Sequence, residues 1–446
     1  MNKDVMGVQE VSPGYEFVAE NPAVPVGYKQ TEVGVIPGGW DVSTISDLAS
    51  VTSGATPPRS LGERYFQRGT IPWVKTLDLN NSVIKTTDEA VTEHALRETS
   101  IRLNPAGTVL VAMYGGYAQI GRTGYLMYPA TTNQALSAII PESKKLDSKY
   151  LLYVLNYRVE HWKSVASSSR KDPNITGNDV RAFTLPLPPV VEQRAIATAL
   201  IDVDALLEEL DRLIAKKRDI KQAAMQQLLT GETRLPGFDG EWESFRLGDH
   251  VTFLKTGTNS RAELQSDGND ASVRYLHYGD IHASKASFMD SSALPFLPSE
   301  KAATLGRLQN GDLIMSDASE DIEGIGKSVE ITNVGTADVV AGLHTIAARF
   351  SPDVLADGFK AYLQYCPAFI TPLRRLAAGT KVYATTRKHV ESIEMQLPGL
   401  EEQVAIAHVF KDMDTEIQAL EQRRSKTAEL KQGMMQELLT GRTRLA

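Results

Sequence analysis

One stretch of this chain is written twice, and that duplication limits the possible folds more than any other feature. Residues 187–235 lie without a gap on residues 397–445, with Leu187 falling on Leu397. Both copies open alike, LPPVVEQRAIA against LPGLEEQVAIA, and close alike, LLTGETRL against LLTGRTRL. In the first copy Ile196, Leu200, Val203, Leu207, Leu210, Ile214 and Ile220 step by threes and fours, with a gap at Lys217. In the second, Ile406, Phe410, Met413, Ile417, Leu420, Thr427, Leu430, Met434 and Leu438 do the same. Such spacing puts an apolar seam along one face of a helix, and the repeat is sustained far enough for a coiled coil.

Prolines mark each start (Pro188 and Pro189, or Pro398), and Gly231 and Gly441 stand where a helix takes its left-handed cap. About 38 helical residues make a rod of roughly 57 Å, and neither rod hides a one-sided seam alone. The economical arrangement is that the two pair with each other, antiparallel, about a pseudo-twofold axis. The alternative is two separate helical appendages, each docked on its own domain.

A chain of 446 residues exceeds one core and suggests two or three domains. No run of about eighteen apolar residues is present to span a membrane, and residues 1–26 hold no apolar signal core, so export is not expected. The single cysteine, Cys366, excludes an internal disulfide or a cysteine-based zinc site and fits a reducing cytoplasm. A net charge of −8 argues mildly against nucleic acid, yet the charge is uneven. Residues 27–186 carry 17 basic against 14 acidic side chains, and residues 236–396 carry 15 against 21. Any bound nucleic acid would need local basic clusters or a basic partner.

In chain order, residues 1–26 read as a loosely docked extension, 27–186 as a globular block, 187–235 as the first long helix, 236–396 as a second block and 397–446 as the second helix. Within the first block, residues 108–113 and 135–140 read as strands and 149–165 as an amphipathic helix. The second block repeats this layout in divergent form. Trp40-Asp41 meets Trp242-Glu243, and Trp73-Val74-Lys75 with Asp78 meets Tyr275-Leu276-His277 with Asp280. Ile120-Gly121-Arg122-Thr123 answers Ile325-Gly326-Lys327-Ser328. The sequence after the first TGETRL resembles the opening of the first block, so the chain begins where its second copy would have continued. Circular order of this kind brings the two ends together in a closed two-fold arrangement.

The doubled Leu-Pro…Glu-Gln…Ile-Ala opening (Glu192, Gln193, Ile196, Ala197; Glu402, Gln403, Ile406, Ala407) and the doubled Leu-Leu-Thr-Gly close resemble the specificity subunits of type I restriction-modification enzymes. The resemblance covers nearly everything after residue 26. It implies an α+β fold of two similar target-recognition domains, separated by two long helices that pair as an antiparallel coiled coil. It also implies that each domain reads one half of a bipartite sequence in double-stranded DNA in a prokaryotic cytoplasm. Two methyltransferase subunits would bind the chain, and restriction subunits would join that core. The chain itself would hold no cofactor; S-adenosylmethionine, ATP and magnesium would belong to the partners.

Candidate DNA-contacting residues follow from the loops. MYGGYAQIG, between Met113 and Gly121, offers Tyr114, Tyr117 and Gln119, and glutamine pairs with adenine in the major groove. Its counterpart from Asp317 to Gly326 offers Asp317, Glu320 and Asp321, acids able to accept from the cytosine amino group. Arg122, Arg170, Lys171, Lys327, Lys381, Arg387 and Lys388 suit phosphate, although a scattered surface cation is more often just that. His277 and Tyr278 stand where the first block has Lys75 and Thr76, and either reach bases or finish a strand. Trp40, Trp73, Trp242 and Tyr275 are expected in the core. Glu192, Gln193, Glu402 and Gln403 begin the rods, whose outward faces are expected to receive the methyltransferases; an acid there also complements the helix dipole.

No catalytic constellation is legible. Gly324 to Ser328 imitates the end of a P-loop, but the earlier glycine is replaced by Asp321, and no amino-methyltransferase string or nucleophile elbow occurs. The leading expectation is a non-catalytic recognition and assembly subunit. The alternatives are a coiled-coil scaffold that binds no DNA and, third, an autonomous DNA-modifying enzyme.

Overall fold

The computed structural model describes residues 24–166, 174–268, 272–377, 379 and 382–445. The chain divides into two compact units, Met1–Leu207 with Lys426–Ala446, and Glu208–Ser425. Each unit therefore joins one globular block to part of both long helices. Linear segments do not coincide with compact units, because a seam shared by two helices binds each block to both of them.

The two units repeat one sheet topology. In the first, a five-stranded sheet runs in the order Ala49–Ser53, Leu136–Pro141, Val109–Ala112, Thr123–Leu126, Ser82–Ile84, antiparallel except for the last pair. In the second, the order is Val251–Leu254, Thr345–Phe350, Leu313–Ser316, Ser328–Thr332, Phe288–Asp290, again with only the last pair parallel. Ile71–Val74 and Ser272–Leu276 each centre a smaller three-stranded sheet with one parallel and one antiparallel neighbour. A further pair ties the start of each block to its end, Asp41–Thr44 with Thr184–Leu187 and Glu243–Arg246 with Glu394–Leu397. The middle strands Val109–Ala112 and Leu313–Ser316 are buried on both faces, which is why they read as continuous apolar runs.

The expected helix over 149–165 is two helices, Ser148–Tyr157 and Glu160–Val165. Arg158 leaves helical geometry at ψ 27°, and its guanidinium turns to the carbonyl of Thr184. The units differ at the start of this element. In the first, Asp147 caps the helix from its own N-terminus, accepting from the Lys149 and Tyr150 N–H groups at 2.9 and 3.0 Å. In the second, the carboxylate comes from across the sheet. Glu330 accepts from Gly358 N–H at 2.6 Å and Ala361 N–H at 2.9 Å, ahead of the 3-10 helix Lys360–Tyr365. Burial pushes the Glu330 carboxyl up to about 7 despite those two donors.

The long helices are Val190–Leu228 and Leu400–Leu439, each followed by its left-handed glycine, Gly231 at φ 72° and Gly441 at φ 71°. In the first unit Ile196, Leu200, Met435 and Leu438 enter one core with Tyr150 and Phe183. In the second, Ile406, Phe410, Met225 and Leu228 enter another with Tyr362 and Phe369. Each such large side chain contributes about 1.5–3 kcal/mol through burial. Both helices thus serve each core, against the alternative of separate appendages.

Ion pairs fix the direction of pairing. In the first unit Asp204 meets Lys431 at 2.6 Å and Glu192 meets Arg444 at 2.5 Å. In the second, Asp211 meets Arg424 at 3.0 Å and Lys217 meets Glu416 at 2.7 Å, while Lys221 meets Asp414. Partner numbers fall on one helix as they rise on the other, so the helices run antiparallel within each unit. Ile220 and Leu430 do not belong to the seam; they are 43% and 60% exposed. Their neighbours Lys221 and Lys431 take the inward position, because Met225 and Leu228, or Met435 and Leu438, carry the seam one residue further round.

Candidate nucleic-acid interface

Three clamps, each built twice, hold the blocks to the helices. Gln193 accepts from Asp147 N–H at 2.8 Å and donates to the carbonyls of Pro188 and Lys145. Gln403 accepts from Ala356 N–H at 2.9 Å and donates to those of Pro398 and Val354. Glu192 takes the Arg444 guanidinium in a two-pronged pair and also the Trp40 indole N–H at 3.0 Å. Glu402 takes Arg234 in the same way. In the third clamp Tyr153 donates to Asp204 at 2.7 Å, and Lys431 pairs with that carboxylate; Tyr362, Asp414 and Lys221 repeat the set. Burial, aided by the facing aspartate, pushes both tyrosine hydroxyls well above their ordinary range.

These contacts correct the expectation of an outward-facing patch. Glu192, Gln193, Glu402 and Gln403 are at most 6% exposed, and their polar atoms are committed within the chain. Sequence reasoning missed the tyrosine clamp altogether. Its signal was the placement of Asp204 and Lys221 in one copy exactly as far apart in register as Asp414 and Lys431 in the other.

The candidate reading loops hang from one frame. Gly121 and Gly326 take φ 77° and 76°, and a Cβ at either would collide with Trp162 or Ile370. Only glycine closes the loop so near the underlying helix. Ahead of Gly121, Tyr114 and Tyr117 are 41% and 49% exposed, while Gln119 and Arg122 are half-buried. The first unit thus offers two accessible phenol rings, an amide and a guanidinium from one short loop.

The second unit brings different chemistry to the corresponding place. Asp317 accepts from His344 Nδ1 at 3.1 Å. Tyr278 lies among three imidazoles, with ring centroids 4.5 Å from His277, 6.0 Å from His282 and 5.5 Å from His344. His277 is buried, and its Nδ1 accepts the Gly279 N–H at 3.1 Å, capping the short helix Tyr278–Ala283. Burial, then the charge of Arg261, lowers its proton affinity. His277 therefore finishes its strand, whereas Tyr278 stays half-exposed. Lys75 and His277 stand at matching helix starts, with backbone N–H groups donating to Asp78 and Asp280 at 2.7 and 2.9 Å.

Among the acids, Glu320 is exposed and Asp321 accepts the Gly324 N–H at 2.7 Å, shaping the turn. Lys327 donates to the His282 carbonyl at 2.7 Å, and burial lowers its proton affinity; it braces the cluster. Arg387 is exposed, although one of its amines donates to the Leu254 carbonyl at 2.9 Å. Lys388 is exposed. Arg170, Lys171 and Lys381 lie outside the described residues. Trp40, Trp73 and Tyr275 are core residues, while Trp242 is half-buried. No group of His, Cys, Asp or Glu among the described residues is arranged to hold a metal, and no helix among them is long and apolar enough to cross a membrane.

Residues 37–217 match the family described as the Type I restriction modification DNA specificity domain. The MjaIX specificity subunit of Methanocaldococcus jannaschii is 34% identical over 186 residues, a match covering 41% of each chain. Similarity to the EcoKI specificity subunit of Escherichia coli K12 is lower, 23%, but covers 84% of this chain and 82% of that one. The crystal structure of the type I restriction-modification S subunit from M. genitalium superposes with a TM-score of 0.57 at 14% identity, over 90% of this chain and 96% of that one. Residues 37–217 therefore carry the signature of a type I restriction-modification DNA specificity domain, and over most of its length the chain is similar in sequence to type I specificity subunits and shares the fold of a solved one.

Proposed function

We propose that the chain chooses the DNA site for a multi-subunit methyltransferase and endonuclease, with each globular block reading one half of a bipartite sequence. The observation that carries this reading is the contrast between the two units. Their sheets and clamps correspond, but the loop that carries two phenols and an amide in the first unit carries acids in the second, where Asp317 meets a cluster of histidines around Tyr278. Identical supports with unlike contact groups are what recognition of two different half-sites requires. In this reading the paired helices form a coiled coil of pseudo-twofold character that sets the spacing between half-sites. Two methyltransferase subunits assemble on it, restriction subunits join them, and those partners supply S-adenosylmethionine, ATP and magnesium chemistry. Arg122, Arg387 and Lys388 contribute phosphate contacts alongside basic surfaces of the partners, since the second block is itself acidic.

The test is co-expression with the neighbouring methyltransferase, followed by mapping of methylated positions in genomic DNA. A bipartite motif with a fixed spacer is the expected result. Methylation without the partner would favour an autonomous enzyme, and no sequence-dependent DNA binding with the partner present would favour a scaffold.

A further inference from the structure

His344 is one of four residues other than glycine that the described chain holds in the left-handed region, and of these it is the one in the histidine cluster. Its backbone lies in the left-handed region at φ 54°, immediately before the strand Thr345–Phe350. Residues other than glycine held there concentrate at functional sites. Its side chain is 52% exposed, yet two contacts fix the ring. Nδ1 lies 3.1 Å from Asp317 Oδ1, and the edge of the ring meets Tyr278 at 5.5 Å and 88°. Asp317 is itself held, with its N–H donating to the His344 carbonyl at 3.1 Å and its carbonyl accepting the Thr385 N–H at 2.8 Å. Other ionisable groups around this wall include His277 and His282, both against Tyr278, Lys327 on the His282 carbonyl, and Arg261 paired to Asp280 behind them.

We propose that His344 is a base-reading residue of the second unit, selecting a base with an exocyclic amino group in the major groove, and that Asp317 and Tyr278 position it. This rests on the DNA-reading function proposed above. A carboxylate only accepts, so the Nδ1 facing Asp317 carries the hydrogen. In the neutral ring Nε2 is then an acceptor, the complement of adenine N6 or cytosine N4 and a mismatch for guanine O6 and N7 or thymine O4. The acid thus selects the tautomer, and the imidazole in turn selects the base. Asp317, taken from sequence as a direct acceptor for cytosine, becomes the positioning residue. In the first unit the residue before the matching strand, Leu136–Pro141, is Ala135, which offers no side-chain polar atom there.

His344→Gly suits the left-handed backbone and removes the ring without adding strain. The experiment measures binding of the assembled complex to duplexes in which each base pair of the mapped motif is replaced in turn. Wild type should discriminate at one adenine or cytosine of one half-site by about tenfold or more. His344→Gly should lose that discrimination and keep it at every position of the other half-site. A duplex whose base at that position lacks its amino group should bind wild type no better than the intact duplex binds His344→Gly, and the base concerned tells adenine from cytosine. Unchanged discrimination by His344→Gly, or a loss spread over both half-sites, would overturn the proposal. A wild-type complex with no sequence preference at all would instead overturn the function on which it rests.

Discussion

The two units solve the same mechanical problem with the same parts and then diverge where those parts meet solvent. In each, a glutamine ties three backbone groups together, a glutamate grips an arginine, and a tyrosine, an aspartate and a lysine join a block to both long helices. The second unit departs in its buried Glu330, its histidine-rich wall and its half-exposed Trp242. Groups that transmit the fold are kept in register, while groups that face outward or fill local gaps are free to differ. Duplicated chemistry therefore marks support, and unlike chemistry at matched positions marks candidates for recognition.

The largest expected effect tests whether the glutamine clamps are equivalent. Gln193→Ala or Gln403→Ala leaves one N–H and two carbonyls without their partner in a buried site, which should cost about 3–5 kcal/mol in chemical denaturation. A large loss in one unit and none in the other would break the equivalence. Next is Glu330, whose carboxyl is raised from 4.5 to about 7 in the folded chain. A raised folded value means its contribution is fully present below pH ~4.5 and is lost as pH rises through 7, a change of about 3 kcal/mol. Glu330→Gln should flatten the stability profile between pH 5 and 8; an unchanged slope would show that another group carries it.

The tryptophans provide a smaller contrast. Trp40 donates to Glu192, whereas the buried indole nitrogen of Trp242 meets no acceptor among the described residues. Trp40→Phe should therefore destabilise by at least about 1 kcal/mol more than Trp242→Phe, read from denaturation midpoints, since it loses the bond to Glu192 and more buried surface. Equal costs would mean that the indole hydrogen bond adds nothing. Ile220→Gln and Leu430→Gln should each stay within about 0.5 kcal/mol of wild type, since both side chains lie outside the seam. A loss comparable to that of Leu438→Gln would restore them to it.

Much of this was legible in the sequence because periodicity and repetition are local properties. The two long helices, their glycine caps, the middle strands and the matched order of the blocks all follow from spacing. What was misread depends on contacts across the chain. Glu192 and Gln193 look like the solvated start of a helix until Arg444 and the loop around Asp147 close over them. Ile220 and Leu430 satisfy a step of threes and fours, but the seam follows Met225 and Met435, which leaves two lysines inside where hydropathy alone would place none. His282 and His344 belong to no motif. Strand pairing between residues 313–316 and 345–348 brings His344 to Asp317, while His282 meets Tyr278 from one turn further along the same short helix.

The central claim is that unlike contact groups on equivalent frames read the two halves of one DNA site independently. Exchange of residues 27–186 for the corresponding block of a type I specificity subunit, with methylated positions then mapped genome-wide, tests it most directly. The account predicts a new sequence in one half of the motif, with the other half and the spacer length retained. A change in both halves, or in neither, would contradict it.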